Sequence, residues 1–154
     1  MDKNNLFAEA GMLINKPIDT VFQTIINPSV TTKFWFTKST GKLSEGKTIV
    51  WTWEMYDLSV NVKVKKIVPN QLIEFVWGEE GYTNNVKWEF KNLGKNKTFV
   101  SVFNDQVKGT VDEKISGVRD STGGFTLVLA GMKAYLEHNI KLNLINDRFP
   151  EELG

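Results

Sequence analysis

From Thr48 to Phe103 the apolar residues recur with a period of two, and this alternation limits the possible folds more than any other feature of the chain. Ile49, Trp51, Trp53 and Met55 share one face of a predicted strand, opposite Val50, Thr52, Glu54 and Tyr56. In the next strand Val60, Val62 and Val64 alternate with Ser59, Asn61, Lys63 and Lys65. After a turn at Pro69-Asn70, Ile73, Phe75 and Trp77 oppose Leu72, Glu74 and Val76. Beyond Gly78 and Gly81, Val86, Trp88 and Phe90 alternate with Lys87, Glu89 and Lys91. Thr98 to Phe103 reads as a last strand with two open facings, since Phe99 and Phe103 compete with Val100 and Val102 for the core side. Short turns between successive strands imply an antiparallel meander with one buried face.

Helical spacing brackets this run. Leu6–Ile14 reads as a strand, and Pro17 suits the first position of a helix bearing Ile18, Val21, Phe22 and Ile25. Asn27-Pro28 stops that helix, and Ser29 to Phe36 reads as a second short helix carrying Phe34, Trp35 and Phe36. Near the C-terminus, Phe125, Val128, Leu129, Met132, Leu136, Ile140 and Leu144 follow the helical period. Asp120, Ser121 or Thr122 would cap the start of this long helix, and Asn146-Asp147 with Pro150 would close it. The polar, glycine-rich segment from Asn104 to Gly124 reads either as a lid or as a surface loop with a helical turn near Asp112–Ser116. Strands covered by segregated helices make an α+β domain, with a curved antiparallel sheet wrapped around one long helix. The expected organisation is one domain over residues 1–154, ordered from about 6 to 147 and frayed at Met1–Asn5 and Glu151–Gly154.

Composition narrows the chemistry. A chain of 154 residues buries one core without disulfides or a structural metal. The absence of Cys removes thiol catalysis, iron–sulfur ligation and Cys-containing zinc sites. The single His, His138, lies off the apolar stripe of the long helix, which disfavours metal binding and Ser–His chemistry alike. With 19 Lys+Arg against 18 Asp+Glu, there is no electrostatic case for nucleic acid. Lys63, Lys65, Lys66, Lys87 and Lys91 read as a solvated outer sheet face, because the aromatics lie on the other side. The N-terminal residues lack the basic start and apolar run of a secretory signal, and no apolar stretch is long enough for a membrane span. A soluble, cytoplasmic protein is the expectation.

The order of elements resembles the helix-grip superfamily (START-like, SRPBCC or Bet v-like). Within it, several stretches are similar to the branch of the heat-shock protein 90 ATPase activator homologues. Ile14-Asn15-Lys16-Pro17-Ile18-Asp19-Thr20-Val21-Phe22 resembles the first strand and its Pro-led helix. Asn27-Pro28-Ser29-Val30-Thr31-Thr32-Lys33-Phe34-Trp35 resembles the second helix with its aromatic pair. Pro69-Asn70-Gln71-Leu72-Ile73-Glu74-Phe75-Val76-Trp77 resembles the Pro-led strand ending in Trp. Gly123-Gly124-Phe125 followed by Leu129, Met132 and Leu136-Glu137 resembles the start of the long helix, with Phe125 where Trp is common. The resemblance covers most of Leu6 to Leu144. It implies a site between sheet and helix for lipids, sterols, polyketides or hormones, and for a few members cyclase or aromatase activity.

The inward-facing Trp residues carry the functional expectation. Each indole N–H needs an acceptor once it leaves water, and a dry core relies mainly on Leu, Ile and Val. Trp51, Trp53, Trp77 and Trp88 therefore either fill the core or line a partly hydrated cavity, and their N–H load favours the cavity. The candidate lining is Trp35, Phe36, Trp51, Trp53, Val62, Phe75, Trp77, Trp88, Asn104, Phe125, Leu129 and Met132, holding a small hydrophobic or amphipathic molecule. Trp35 and Phe36 would close a mouth of the cavity or plug the second helix onto the sheet, and Arg119 and Asp120 would meet an acidic head group or pair locally. No catalytic, cofactor or metal residues are assigned. Glu54 and Glu74 face outward, and Tyr56 and Tyr82 could donate to a ligand oxygen but flank turns. Asn104 and Asp105 at the end of the last strand are the best remaining polar candidates near a pocket mouth, with no nucleophile–base pair among them. A chaperone-associated interaction module, or a homodimer through an exposed Phe99 or Phe103, is the second function class, and a cyclase-like enzyme the third.

Overall fold

The computed structural model describes residues 6–106 and 108–154, so the fraying expected at Met1–Asn5 lies outside the described residues. Seven antiparallel strands form one sheet: β1 (Leu6–Ile14), β2 (Lys38–Ser39), β3 (Thr48–Trp53), β4 (Leu58–Val68), β5 (Leu72–Trp77), β6 (Asn84–Gly94) and β7 (Lys97–Gln106). Their order is β1-β7-β6-β5-β4-β3-β2. Helices α1 (Ile18–Ile26) and α2 (Pro28–Thr31) follow β1, and α3 (Val111–His138) and α4 (Leu144–Arg148) follow β7. The sheet is a meander whose last strand returns to pair with its first, and α3 lies against the inner face. This is the α+β helix-grip arrangement that the alternation and the helical stripe predict. No described helix is long and apolar enough to cross a membrane.

Register decides the facing that the last strand left open. Val100 opposes Phe90 and Val102 opposes Trp88, so the shared pleat sends both valines into the core. Phe99 is left exposed, and Phe103 packs on Phe7 with the Lys87 ammonium 5.2 Å from its ring centre.

Three boundaries in the first half of the chain differ from the sequence-based expectation. Helix α1 begins at Ile18, with Pro17 as its extended cap residue rather than its first helical residue. Helix α2 ends at Thr31, pinned where the Thr31 hydroxyl donates to the Thr24 carbonyl at 2.7 Å, so Phe34, Trp35 and Phe36 come from the turn beyond it. Gly131 makes room for that turn, because a Cβ there would lie only 3.1 Å from the Phe34 Cβ. Strand β3 ends at Trp53, and Glu54–Tyr56 form a 3₁₀ turn left through Asp57 at φ 48°, which takes Met55 and Tyr56 off the strand's alternation.

The largest difference is at the long helix. It starts at Val111, not beside Asp120, so most of the segment expected as a lid or loop is helix. Thr110 is the N-cap: its hydroxyl accepts from the Glu113 N–H at 3.1 Å and donates to the Glu113 carboxylate. The helix stops at His138 because Asn139 turns left-handed (φ 53°) and returns its N–H to the Ala134 and Tyr135 carbonyls. Ile140 and Leu144 therefore leave the helical stripe and begin a C-terminal strap over α4 and a 3₁₀ turn at Glu151–Leu153. His138 is exposed in the last turn.

Candidate functional site: an aromatic cavity beneath the long helix

Trp35 occupies the middle of the concave face. Its ring lies 4.8 Å from Trp51, 5.6 Å from Trp88, 6.0 Å from Trp77 and 6.4 Å from Trp53, centre to centre. Phe125 of α3 lies 5.7 Å from the same ring, in edge-on contact. Phe36 stacks on Trp51 at 4.3 Å. One aromatic side chain delivered from the α2 turn thus joins four strand-borne Trp into one cluster.

A cavity of about 420 Å³ remains beside the cluster, between the sheet, α3 and the strap. Trp35, Trp53, Trp77 and Phe125 form its aromatic wall, and Asn104 supplies a polar edge. Phe36, Trp51, Val62, Phe75, Trp88, Leu129 and Met132 lie behind this wall in the packed core. The twelve residues anticipated as a lining therefore divide between wall and core.

Other wall residues carry no signal in the strand alternation. On α3 they are Gly117, Asp120, Ser121, Gly124, Leu127 and Val128, which descend the helix at three- and four-residue steps. Extending the helical period backward from Phe125 identifies this row. It spans about 16 Å of helix axis at 1.5 Å per residue. Gly117 and Gly124 act differently along it. A Cβ on Gly117 would lie 2.1 Å from Gln106 Oε1, whereas one on Gly124 would meet no atom within 4 Å. The first glycine gives the Gln106 side chain room against α3, and the second leaves space open to the cavity.

The remaining walls are Tyr56, Leu58 and Asn84 from the sheet side, and Ile145, Arg148 and Phe149 from the strap. The Tyr56 hydroxyl donates to the Ile145 carbonyl, and the Phe149 ring meets the Tyr56 ring edge-on at 6.2 Å. Burial pushes the Tyr56 phenol above its ordinary pKa, opposed by a Phe149 backbone hydrogen bond and the Arg148 charge. Arg119 and Asp120 form a mutual ion pair at 3.3 Å, both largely exposed.

Hydrogen bonding at the polar edge is dense. Asn84 Oδ1 accepts from Trp77 Nε1 at 2.7 Å and from Asn104 Nδ2 at 2.6 Å. Asn104 Oδ1 accepts from the Ser121 hydroxyl at 2.7 Å and from Gln106 Nε2 at 3.2 Å. Trp88 contrasts with Trp77: its indole N–H is buried and has no partner among the described residues. The acids weighed for catalysis are engaged elsewhere, Glu74 accepting from Asn85 Nδ2 and Asp105 from the Asn85 N–H. Among the described residues no cluster of His, Cys, Asp and Glu suits a metal ion.

Comparison with known proteins places the chain. A protein from Staphylococcus saprophyticus of known crystal structure is 26% identical, superposes with a TM-score of 0.76, and is matched over 89% of this chain and 96% of its own. The solution structure of the Aha1 dimer from Colwellia psychrerythraea superposes with a TM-score of 0.74 at 17% identity, covering 86% of this chain and 97% of that one. A protein from Cytophaga hutchinsonii gives a TM-score of 0.65 at 20% identity, covering 87% and 95%. No curated protein matches significantly. The model of one family, described as activator of Hsp90 ATPase homolog 1-like protein, matches residues 15–137. That span runs from the end of β1 to the last turn of α3 and includes most of the cavity wall, so the chain belongs to the activator of Hsp90 ATPase homolog 1-like family.

Proposed function

We propose that the protein binds a small hydrophobic or amphipathic molecule in the cavity beneath α3. The observation that carries this reading is the wall itself: Trp35, Trp53, Trp77 and Phe125 present aromatic surface to a space of about 420 Å³. Apolar surface left facing water forgoes roughly 25 cal/mol per Å² of burial, which a ligand of matching shape recovers. The volume lies within the ~300–1,000 Å³ typical of small-molecule sites. Polar groups gathered at the Asn84–Asn104 edge give such a ligand an orientation.

Intrinsic Trp fluorescence and the melting temperature, read against a panel of lipids, sterols and polycyclic aromatics, test the proposal. A ligand that binds the folded state alone raises Tm in proportion to RT ln(1 + [L]/Kd). Its contact with the wall also shifts or quenches Trp emission. A folded protein in which no panel member moves either signal overturns the reading.

A further inference from the structure

We infer that the polar edge of the cavity selects a ligand with an uncharged oxygen acceptor, a ketone, ester or amide carbonyl, received by the Asn84 side-chain amide. The inference rests on the ligand-binding reading above and specifies its substrate class.

Donor and acceptor identities follow from groups that have only one role. The indole N–H of Trp77 only donates, so the Asn84 atom 2.7 Å away is the oxygen. The Asn85 carbonyl only accepts, so the Asn104 atom 3.0 Å away is the nitrogen. That nitrogen also donates to Asn84 Oδ1, which thereby takes two hydrogen bonds. Asn104 Oδ1 takes two as well, from Ser121 and Gln106. The side-chain oxygens of both asparagines are thus satisfied within the network.

What the network leaves over is the Asn84 Nδ2 group. It bonds to no acceptor among the described residues, yet it is not sealed in the core as the Trp88 N–H is. Its residue lines the cavity next to the Trp77 and Phe125 rings, which stack at 5.7 Å. An apolar ligand lying along those rings would leave this donor unpaired, whereas a carbonyl oxygen would complete it. A carboxylate would fit less well. Arg148 on the strap side of the wall lies over the Phe149 ring at 4.5 Å and, like every other Lys and Arg among the described residues, hydrogen-bonds to none of the Asn84–Asn104–Ser121–Gln106 set. Asp120 lines the same wall, so an anion desolvated at this edge lacks the cation or several donors it needs.

Three near-isosteric probes test the inference on the full chain by Trp fluorescence titration: 2-ethylnaphthalene, 2-acetylnaphthalene and 2-naphthoate. The expected result is 2-acetylnaphthalene binding about tenfold tighter than 2-ethylnaphthalene, with 2-naphthoate weaker than the ketone. In Asn84→Asp, which keeps an oxygen for Trp77 and Asn104 but loses the N–H donors, the ketone-to-hydrocarbon ratio is expected to fall to one or below. If that variant does not fold, the wild-type ratio alone decides. Equal binding of ketone and hydrocarbon, a preference that survives Asn84→Asp, or tightest binding by 2-naphthoate overturns the carbonyl assignment while the binding reading stands. Failure of all three probes to perturb the wild-type Trp signal overturns the assignment and counts against the cavity reading too.

Discussion

Single side chains decide how much of the interior is cavity and how much is core. A side chain on Gly124 would enter open space, and glycine in a helix interior costs about 1 kcal/mol relative to alanine. Gly124→Leu is therefore expected to raise Tm while abolishing the response to any ligand that shifts the wild type, both measurable on one sample by calorimetry and fluorescence. Trp88 poses the opposite problem, a well-packed ring with an unpartnered N–H. An orphaned donor costs about 1–3 kcal/mol, which offsets much of the packing lost in a smaller ring. Trp88→Phe should change stability by less than about 1 kcal/mol, whereas Trp88→Ala should cost about 3–5 kcal/mol, as read by urea denaturation. Strand alternation placed Trp51, Trp53, Trp77 and Trp88 on one face, and the register agrees. It could not separate wall from core, because positions two apart on a pleat are equivalent until something from another element lies over them. Trp35, carried in by a turn that helical spacing alone assigns to a helix, makes that distinction.

At the scale of elements, α3 was legible only in its second half. Its C-terminal turns bury Phe125, Val128, Leu129 and Met132, and so carry the periodic signal. The earlier turns hold Gly117, Gly123 and Gly124 among polar side chains and border the cavity, which removes the apolar stripe along that stretch. The readable signal there is the Thr110–Glu113 spacing of a capping box. Thr110→Ala is expected to cost about 1 kcal/mol, checked by thermal denaturation.

The other end of α3 is tied to the junction after β1. Glu137 accepts from the Asn15 N–H at 3.0 Å, the Asn15 amide at 3.2 Å and Lys133 Nζ at 2.7 Å. Burial alone would raise its pKa, but the Asn15 and Lys133 hydrogen bonds and the Lys133 charge outweigh it and hold the carboxyl at about 2. A folded-state pKa below the unfolded one gives stability that is full above about pH 4.5 and is lost as pH falls toward 2. The contribution is on the order of 2 kcal/mol. Glu137→Gln should lower stability at neutral pH and flatten its decline between pH 4.5 and 2, measured by denaturant titration at stepped pH.

For the molecule as a whole, the cavity is completed by the strap after α3. Asn139 and Asn143 both turn left-handed (φ 53° and 60°), so the chain reverses and returns Ile145, Arg148 and Phe149 to the cavity wall. Sequence periodicity carried the helix onward to Leu144 because a single asparagine leaves the apolar spacing undisturbed. The strap is held through Tyr56, whose hydroxyl reaches the Ile145 carbonyl. Tyr56→Phe should speed amide hydrogen exchange at Ile145–Phe149 several-fold, consistent with loss of a hydrogen bond worth about 1 kcal/mol, and leave the α3 core unchanged. An unchanged exchange rate across the strap would show that the phenol does not hold it.

Pairing of β1 with β7 also has a consequence for the order in which the chain acquires structure. Ile14 opposes Thr98 and Leu6 opposes Gln106, so the first strand made waits for the last one before either has this neighbour. Each β4, β5 or β6 hairpin can form from local sequence, but β1 is an apolar segment without its sheet partner until almost the whole meander exists. Sheets closed by such distant pairings form slowly, and their unpaired strands are exposed to association meanwhile. During synthesis β1 thus stays an unpaired apolar strand until β7 emerges, and its docking marks the moment at which the sheet gains its last neighbour, before α3 and the strap can cover the inner face.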